Sequence, residues 1–308
     1  MRRAMADTEI ARALRSVLDR VKTACDKRPE DLRGLQPRLV AVTKIKPKAV
    51  ILQAYEAGQR HFGENYVQEL EEKSKDPEIL EKCKDIRWHF IGHLQRNKVN
   101  KVLETPNLYM IETVDSPKLA TTINASLERQ KMERLKVMVQ VNTSAEENKH
   151  GCHPSETLSM VRHVQDACPK LELLGVMTIG AFDHDLSQGP NPDFQSLIQC
   201  RKDVCAALNQ DLLHLELSMG MSNDFEHAIE NGSTNVRVGS TIFGARVYPA
   251  KKNTEPENTS NTSENNASSS TSQDKYSALN GEGQTSLDRT DQVDNVVDKM
   301  KDVKLEDK

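Results

Sequence analysis

"LVAVTKIKPKAV", residues 39–50, decides the fold. An apolar run, Leu39 to Val42, ends on Thr43 and Lys44 and passes straight into Lys46, Pro47 and Lys48. The run reads as a first strand and residues 47–57 as the helix after it. A doubly wound open sheet normally carries a glycine-rich turn at this junction, where backbone meets phosphate. "KIKPK" contains no glycine. The junction therefore favours a closed barrel and leaves the open sheet as the alternative.

The chain on either side repeats the same unit. Further strands are expected at His61–Gly63, Ile86–Ile91, Leu108–Thr113, Leu135–Val141, Leu173–Thr178, His214–Ser218 and Asn235–Val238. Helices are expected over 64–74, 96–103, 116–130, 154–168, 190–208 and 223–231. Ser116 with Pro117, and Asn223 with Glu226 and the stop at Gly232, supply helix boundary signals. Eight alternating strands and helices imply parallel strands with helical crossovers, and fit a single (β/α)8 TIM barrel. Ile10, Leu14, Val17, Leu18 and Val21 place an amphipathic helix ahead of it.

The expected organisation is an N-terminal helix in residues 1–30, a barrel over 31–250 and a disordered Ser/Asn/Thr-rich tail over 251–308. The tail has almost no large apolar residues to offset the entropy of ordering. Of 42 basic and 46 acidic residues, 8 and 12 lie from Lys251 onward, so the body carries 34 of each. That balance argues against nucleic acid or an anionic membrane as partner, and no apolar run is long enough to span a bilayer. Six cysteines, with neither CxxC pairs nor zinc-finger spacing, read as free thiols in a reducing compartment, and no metal is expected. The Arg-rich start is interrupted by Asp7, Glu9 and Asp19 and has no apolar signal core. The expected location is the cytoplasm, with the mitochondrion as a second one.

In such a barrel, function sits at the C-terminal strand ends. There the sequence places Lys44, Glu64, Asn65, His93, Gln95, Asn142, Thr143, Thr178, Ser218 and Arg237 to Ser240. "LSMGMSNDFEHAIENG" and "VRVGSTIFGAR", after strands seven and eight, offer glycines and hydroxyls suited to an anion. The same glycines equally serve to shape turns. Lys44 reads either as a strand-end ammonium reaching water or as an amine made nucleophilic by desolvation. A nucleophilic lysine opposite a phosphate cradle would suit a ligand with an aldehyde at one end and a phosphate at the other, as in pyridoxal phosphate. Val40, Val42 and Lys44 share one face of the strand, but both faces of a barrel strand are buried, so parity does not say which points inward. Lys46 and Lys48, beyond the strand end, read as solvated.

Six segments carry a resemblance: "LVAVTKIKP", "GQRHFGENYVQE", "WHFIGHLQRNK", "VNTSAEENKHG", "GVMTIG" and "LSMGMSNDFEHAIENGSTNVRVGSTIFGAR". Together, across residues 39–246, they resemble the pyridoxal phosphate homeostasis proteins, also called the YggS-type or proline-synthetase co-transcribed family. Thr43 stands where that family usually has serine. The resemblance implies a barrel similar to the N-terminal domain of alanine racemase, with pyridoxal 5'-phosphate held as a Schiff base by Lys44. It implies that Ser218, Gly239 and Ser240 hold the phosphate, that Arg237 faces the pyridine nitrogen, and that Asn65 lines the ring pocket. It further implies a cofactor carrier and buffer in vitamin B6 homeostasis, with no established catalysis.

The alternative is a fold-type III enzyme such as an amino-acid racemase. That chemistry needs a second base on the opposite face of the ring, and after the barrel motifs the only tyrosines are Tyr248 and Tyr276. A guanidinium beside the pyridine nitrogen also opposes its protonation and weakens the ring as an electron sink. The carrier reading expects a monomer whose partners are the cofactor and apo-enzymes that depend on it.

Overall fold

The computed structural model describes residues 8–32, 36–146, 149–181, 184–185 and 189–245. The expected tail over 251–308, with Tyr248 and Tyr276, lies outside the described residues. Eight strands form a closed parallel barrel in sequence order: β1 Arg38–Val42, β2 His61–Glu64, β3 Arg87–Phe90, β4 Leu108–Val114, β5 Leu135–Gln140, β6 Leu171–Met177, β7 Glu216–Ser218 and β8 Asn235–Val238. Closure comes from β1 against β8, where Val40 pairs with Arg237. Each expected strand forms, including the short β2, which holds Phe62 and Gly63 between β1 and β3.

The helices are α1 Glu9–Asp26, α2 Lys48–Glu56, α3 Val67–Ser74, α4 Pro77–Lys82, α5 Val99–Leu103, α6 Pro117–Arg129, α7 Thr157–Ala167, α8 Pro192–Leu208, α9 Phe225–Glu230 and α10 Ser240–Phe243. None is long and apolar enough to cross a membrane. α6 starts as expected, with the Ser116 hydroxyl accepting from the Leu119 amide and Pro117 at its first position. α4 and α10 were not anticipated; α4 has its own cap, the Asp76 carboxylate accepting from the Glu78 and Ile79 amides.

The expected capping box of α9 does not form. Its N-cap is Asp224, which makes no side-chain cap bond, and the Asp224 carboxylate instead accepts from the Met221 amide. Glu226 turns outward to Arg20 of α1, which donates to it through Nε at 3.0 Å. The stop at Gly232 is present, with a left-handed φ of 96° that only glycine adopts at no steric cost. α1 buries Leu14, Val17 and Val21 as expected, but Leu18 is exposed, and Ala11, Ala24 and Cys25 complete the stripe.

Two apolar layers result. The larger lies between barrel and helices and takes one face of each strand, such as Leu39 and Ala41 of β1 and Val236 and Val238 of β8. Val40, Val42, Asn235 and Arg237, on the alternate faces, therefore point into the barrel. The Lys44 face of β1 is thus the inward face, which parity alone left open. Met110, Met138 and Met177 form a separate buried cluster inside. The six cysteines are free thiols, all buried.

Candidate functional site

The barrel interior is polar below and open above. At the N-terminal end Arg38 pairs with Glu216 at 2.6 Å, and the Arg38, Arg87 and Lys136 cations gather around the Tyr109 ring. Above them runs a hydrogen-bond chain: Arg87 donates to His61, His61 meets His89 at 2.8 Å, and His89 reaches Glu112 at 2.6 Å. Burial, with the neighbouring His89, Arg38 and Arg87, pushes His61 down to about 3, so its imidazole is neutral. The other oxygen of Glu112 accepts from Ser218 at 2.7 Å and from Asn235 at 3.0 Å. Arg237 donates to the Ser218 hydroxyl and, at 2.7 Å, to the Thr178 carbonyl.

Above this network lies a cavity of about 440 Å³ at the C-terminal strand ends. Its wall includes Lys44, Asn65, Arg237, Gly239 and Ser240. Five of the six residues expected at the site therefore meet in one space. Ser218 is the exception: it is fully buried at the end of β7, beneath the cavity, and its hydroxyl is taken up by Glu112, Asn235 and Arg237. The serine presented to the cavity from that loop is Ser222, whose hydroxyl accepts from the Gly239 amide at 3.0 Å. "SMGMS" contains both serines, and only the turn at Gly220, with φ 96°, decides which one rises above the strand end.

Lys44 sits just past β1 in a turn closed by the Lys46 amide donating to the Thr43 carbonyl at 3.0 Å. Ile45 takes a left-handed φ of 60°, an outlier for a β-branched residue, and its amide donates to Glu69 at 2.8 Å. The turn directs Lys44 into the cavity. Lys46 is not a solvated lysine: its ammonium donates to the Phe243 and Ala245 carbonyls at 2.7 and 2.8 Å and ties β1 to the end of α10. Lys48 is exposed and pairs with Asp76.

Glu64 turns away from the cavity. One oxygen accepts from Thr43 at 2.6 Å and from Lys73 at 2.8 Å; burial pushes its carboxyl up and Lys73 opposes that shift. Asp224, also in the wall, is likewise pushed up by burial. Burial pulls Arg237 down, against Glu112 and Asp224, which favour its charge.

Gly92 carries the closest approach. A Cβ there would lie 1.8 Å from the Asn65 carbonyl oxygen, so only glycine lets the β2 and β3 loops touch. At Gly239 a Cβ would sit 3.2 Å from the Val42 carbonyl, on the cavity wall. Gly92, Ser222 and the interior pair His89 and Glu112 were not singled out from sequence. Only the glycine in "FIGH" carried any signal, as a break directly after a strand.

A one-ended barrel cavity with an inward lysine, a buried arginine and a glycine-serine wall defines the class of alanine racemase N-terminal-like barrels, and residues 18–247 match the family of the alanine racemase N-terminal domain. The human pyridoxal phosphate homeostasis protein is 59% identical over 247 residues, 80% of this chain and 90% of that one. The protein of the same description from Haemophilus influenzae is 38% identical, over 78% and 97%. PipY of Synechococcus elongatus, solved with PLP bound, aligns with a TM-score of 0.62 at 30% identity, over 76% of this chain and all of that one. The chain belongs to the pyridoxal phosphate homeostasis family.

Proposed function

We propose that the chain binds pyridoxal 5'-phosphate in this cavity and holds it for delivery, as part of vitamin B6 homeostasis. One observation carries the reading: a lysine, a buried guanidinium and a glycine-serine wall converge from β1, β8 and the loops after β7 and β8 on one cavity. Its volume falls within the common range for cofactor pockets, about 300–1,000 Å³. The residues fit the group. The buried Asn65 Oδ1 has no hydrogen-bond partner among the described residues, which suits a ring hydroxyl donor. Ser222 and Ser240 offer hydroxyl donors for a phosphate beside Gly239, and the first amides of α10 have no acceptor within that helix. Bound there, the cofactor supplies an aldehyde, and Lys44 is the amine assigned to its Schiff base.

Two other lysines line the cavity: Lys46 donates to the Phe243 and Ala245 carbonyls, and Lys149 to Glu146 and the Gly180 carbonyl. Lys44 is the one that stands just past the end of β1, on its inward face. Arg237, fixed from below by Ser218 and Thr178, is assigned to the pyridine nitrogen. A guanidinium there keeps that nitrogen unprotonated, which favours storage over carbanion chemistry. The test is the absorption spectrum of purified protein before and after borohydride, followed by mapping of the reduced adduct. Carriage expects a visible band lost on reduction and a single label on Lys44. A colourless protein that takes up no pyridoxal phosphate on dialysis would sink it. Measurable alanine racemisation by the loaded protein would favour the enzyme reading.

A further inference from the structure

We propose that His93, Asp115 and His150 form a binding site for a divalent transition metal of the zinc type at the rim of the cavity. The three come from the loops after β3, β4 and β5, so no local spacing in the sequence announces them. Their ligand atoms all lie within 4.8 Å of one another. His93 Nδ1 and Asp115 Oδ2 are 3.4 Å apart. That is long for a charge-assisted hydrogen bond, but it matches the roughly 3.3 Å between two ligands on a tetrahedral zinc with bonds of about 2.0 Å.

The His93 and His150 rings stack with centroids 3.5 Å apart and planes 9° from parallel. Two imidazolium ions would repel at that distance. Stacking accounts for the ring contact, but not for a carboxylate facing the same edge at ligand spacing. A ligand nitrogen of the exposed His150 lies within 4.8 Å of both the His93 and the Asp115 ligand atoms. Two imidazoles and a carboxylate suit zinc, and equally copper or nickel. They leave at least one coordination position for water or an incoming oxygen or nitrogen ligand. His93 and His150 both line the cavity, which places the site on its wall.

The experiment is equilibrium dialysis and calorimetric titration of the full-length, chelator-treated protein with Zn2+ alone. The variants are His93→Ala, His150→Ala and Asp115→Asn, with His163→Ala as a control remote from the site. The site predicts one equivalent bound by the wild type and by the control. Each site variant should lose at least tenfold in affinity, since even removal of an outer-shell partner costs about 10–100-fold. Co2+ should give visible ligand-field bands in the wild type that are absent from each site variant. Unchanged folding of the variants is checked by circular dichroism. Equal zinc binding by the wild type and the two histidine variants, or none by the wild type at micromolar metal, overturns the proposal. Full affinity in Asp115→Asn overturns the three-ligand site.

Discussion

Glu112 and Arg237 share one hydroxyl: Ser218 accepts from the guanidinium and donates to the carboxylate, inside the barrel and out of reach of water. Glu112 is thus the countercharge beneath the cation in the cavity floor. Removing one member of a buried pair leaves the other uncompensated. Glu112→Ala should destabilise the protein by about 3–5 kcal/mol, read by urea denaturation at pH 7. Glu112→Gln, which keeps the volume and part of the bonding, should cost less.

The same carboxyl gives a pH signature. Burial alone would push it up, but His89 by hydrogen bond and charge, then Arg237 and Ser218, outweigh that and hold it below the ordinary range. Its stabilisation is complete above the unfolded value, about 4.3, and is lost as pH falls through the lower folded value. Between the two, the unfolded chain binds the extra proton and stability falls with falling pH. Denaturation midpoints measured down this acid range should therefore fall less steeply in Glu112→Gln than in the wild type. Parallel slopes would show that Glu112 titrates normally.

Lys44→Ala should abolish the borohydride-trapped adduct while leaving the melting temperature near wild type. Lys46→Ala should do the reverse: it removes two charge-assisted bonds to the chain after α10, and a melting temperature several degrees lower is expected. Lys48→Ala should change neither. Differential scanning fluorimetry with mass mapping of the label checks all three, and a label on Lys46 or Lys149 would move the assignment.

Gly239→Val should weaken cofactor retention at least as much as Lys44→Ala, because it fills the wall beside Ser222 and Ser240 while the carrier must hold its cargo with the covalent link open. Dialysis of both variants in one buffer, after a folding check, makes the comparison. Retention equal to wild type would place the phosphate elsewhere.

Gly92→Ala tests the contact between the β2 and β3 loops. Its methyl group cannot fit 1.8 Å from the Asn65 carbonyl, so one loop must shift. A loss of about 1–3 kcal/mol is expected, with Asn65 displaced from the cavity wall. Full stability and unchanged retention would show that the loops give way freely.

The barrel was legible because each strand is a short apolar run with a helix signal after it, and "KIKPK", without a glycine, favoured it over the open sheet. Cavity residues at strand ends were legible for the same reason: topology alone sends Lys44, Asn65, Arg237 and Gly239 to one end. Two kinds of feature were not. The choice between Asn223 and Asp224 as cap, or between Ser218 and Ser222 as wall residue, turns on backbone torsions at single positions that composition does not encode. The interior chain of His61, His89, Glu112, Ser218 and Asn235 draws one residue from each of five strands. In sequence they lie far apart, and no local spacing links them.

The plugged interior has a consequence for traffic. With Arg38, Glu216 and Tyr109 closing the lower end and the Glu112 network above them, the described residues leave the cavity open at the C-terminal strand ends, where His93 and His150 stand. If the proposed carriage holds, loading and unloading share that opening. A donor and a recipient would then take turns, and whatever occupies that rim would set the turnover of cargo in both directions.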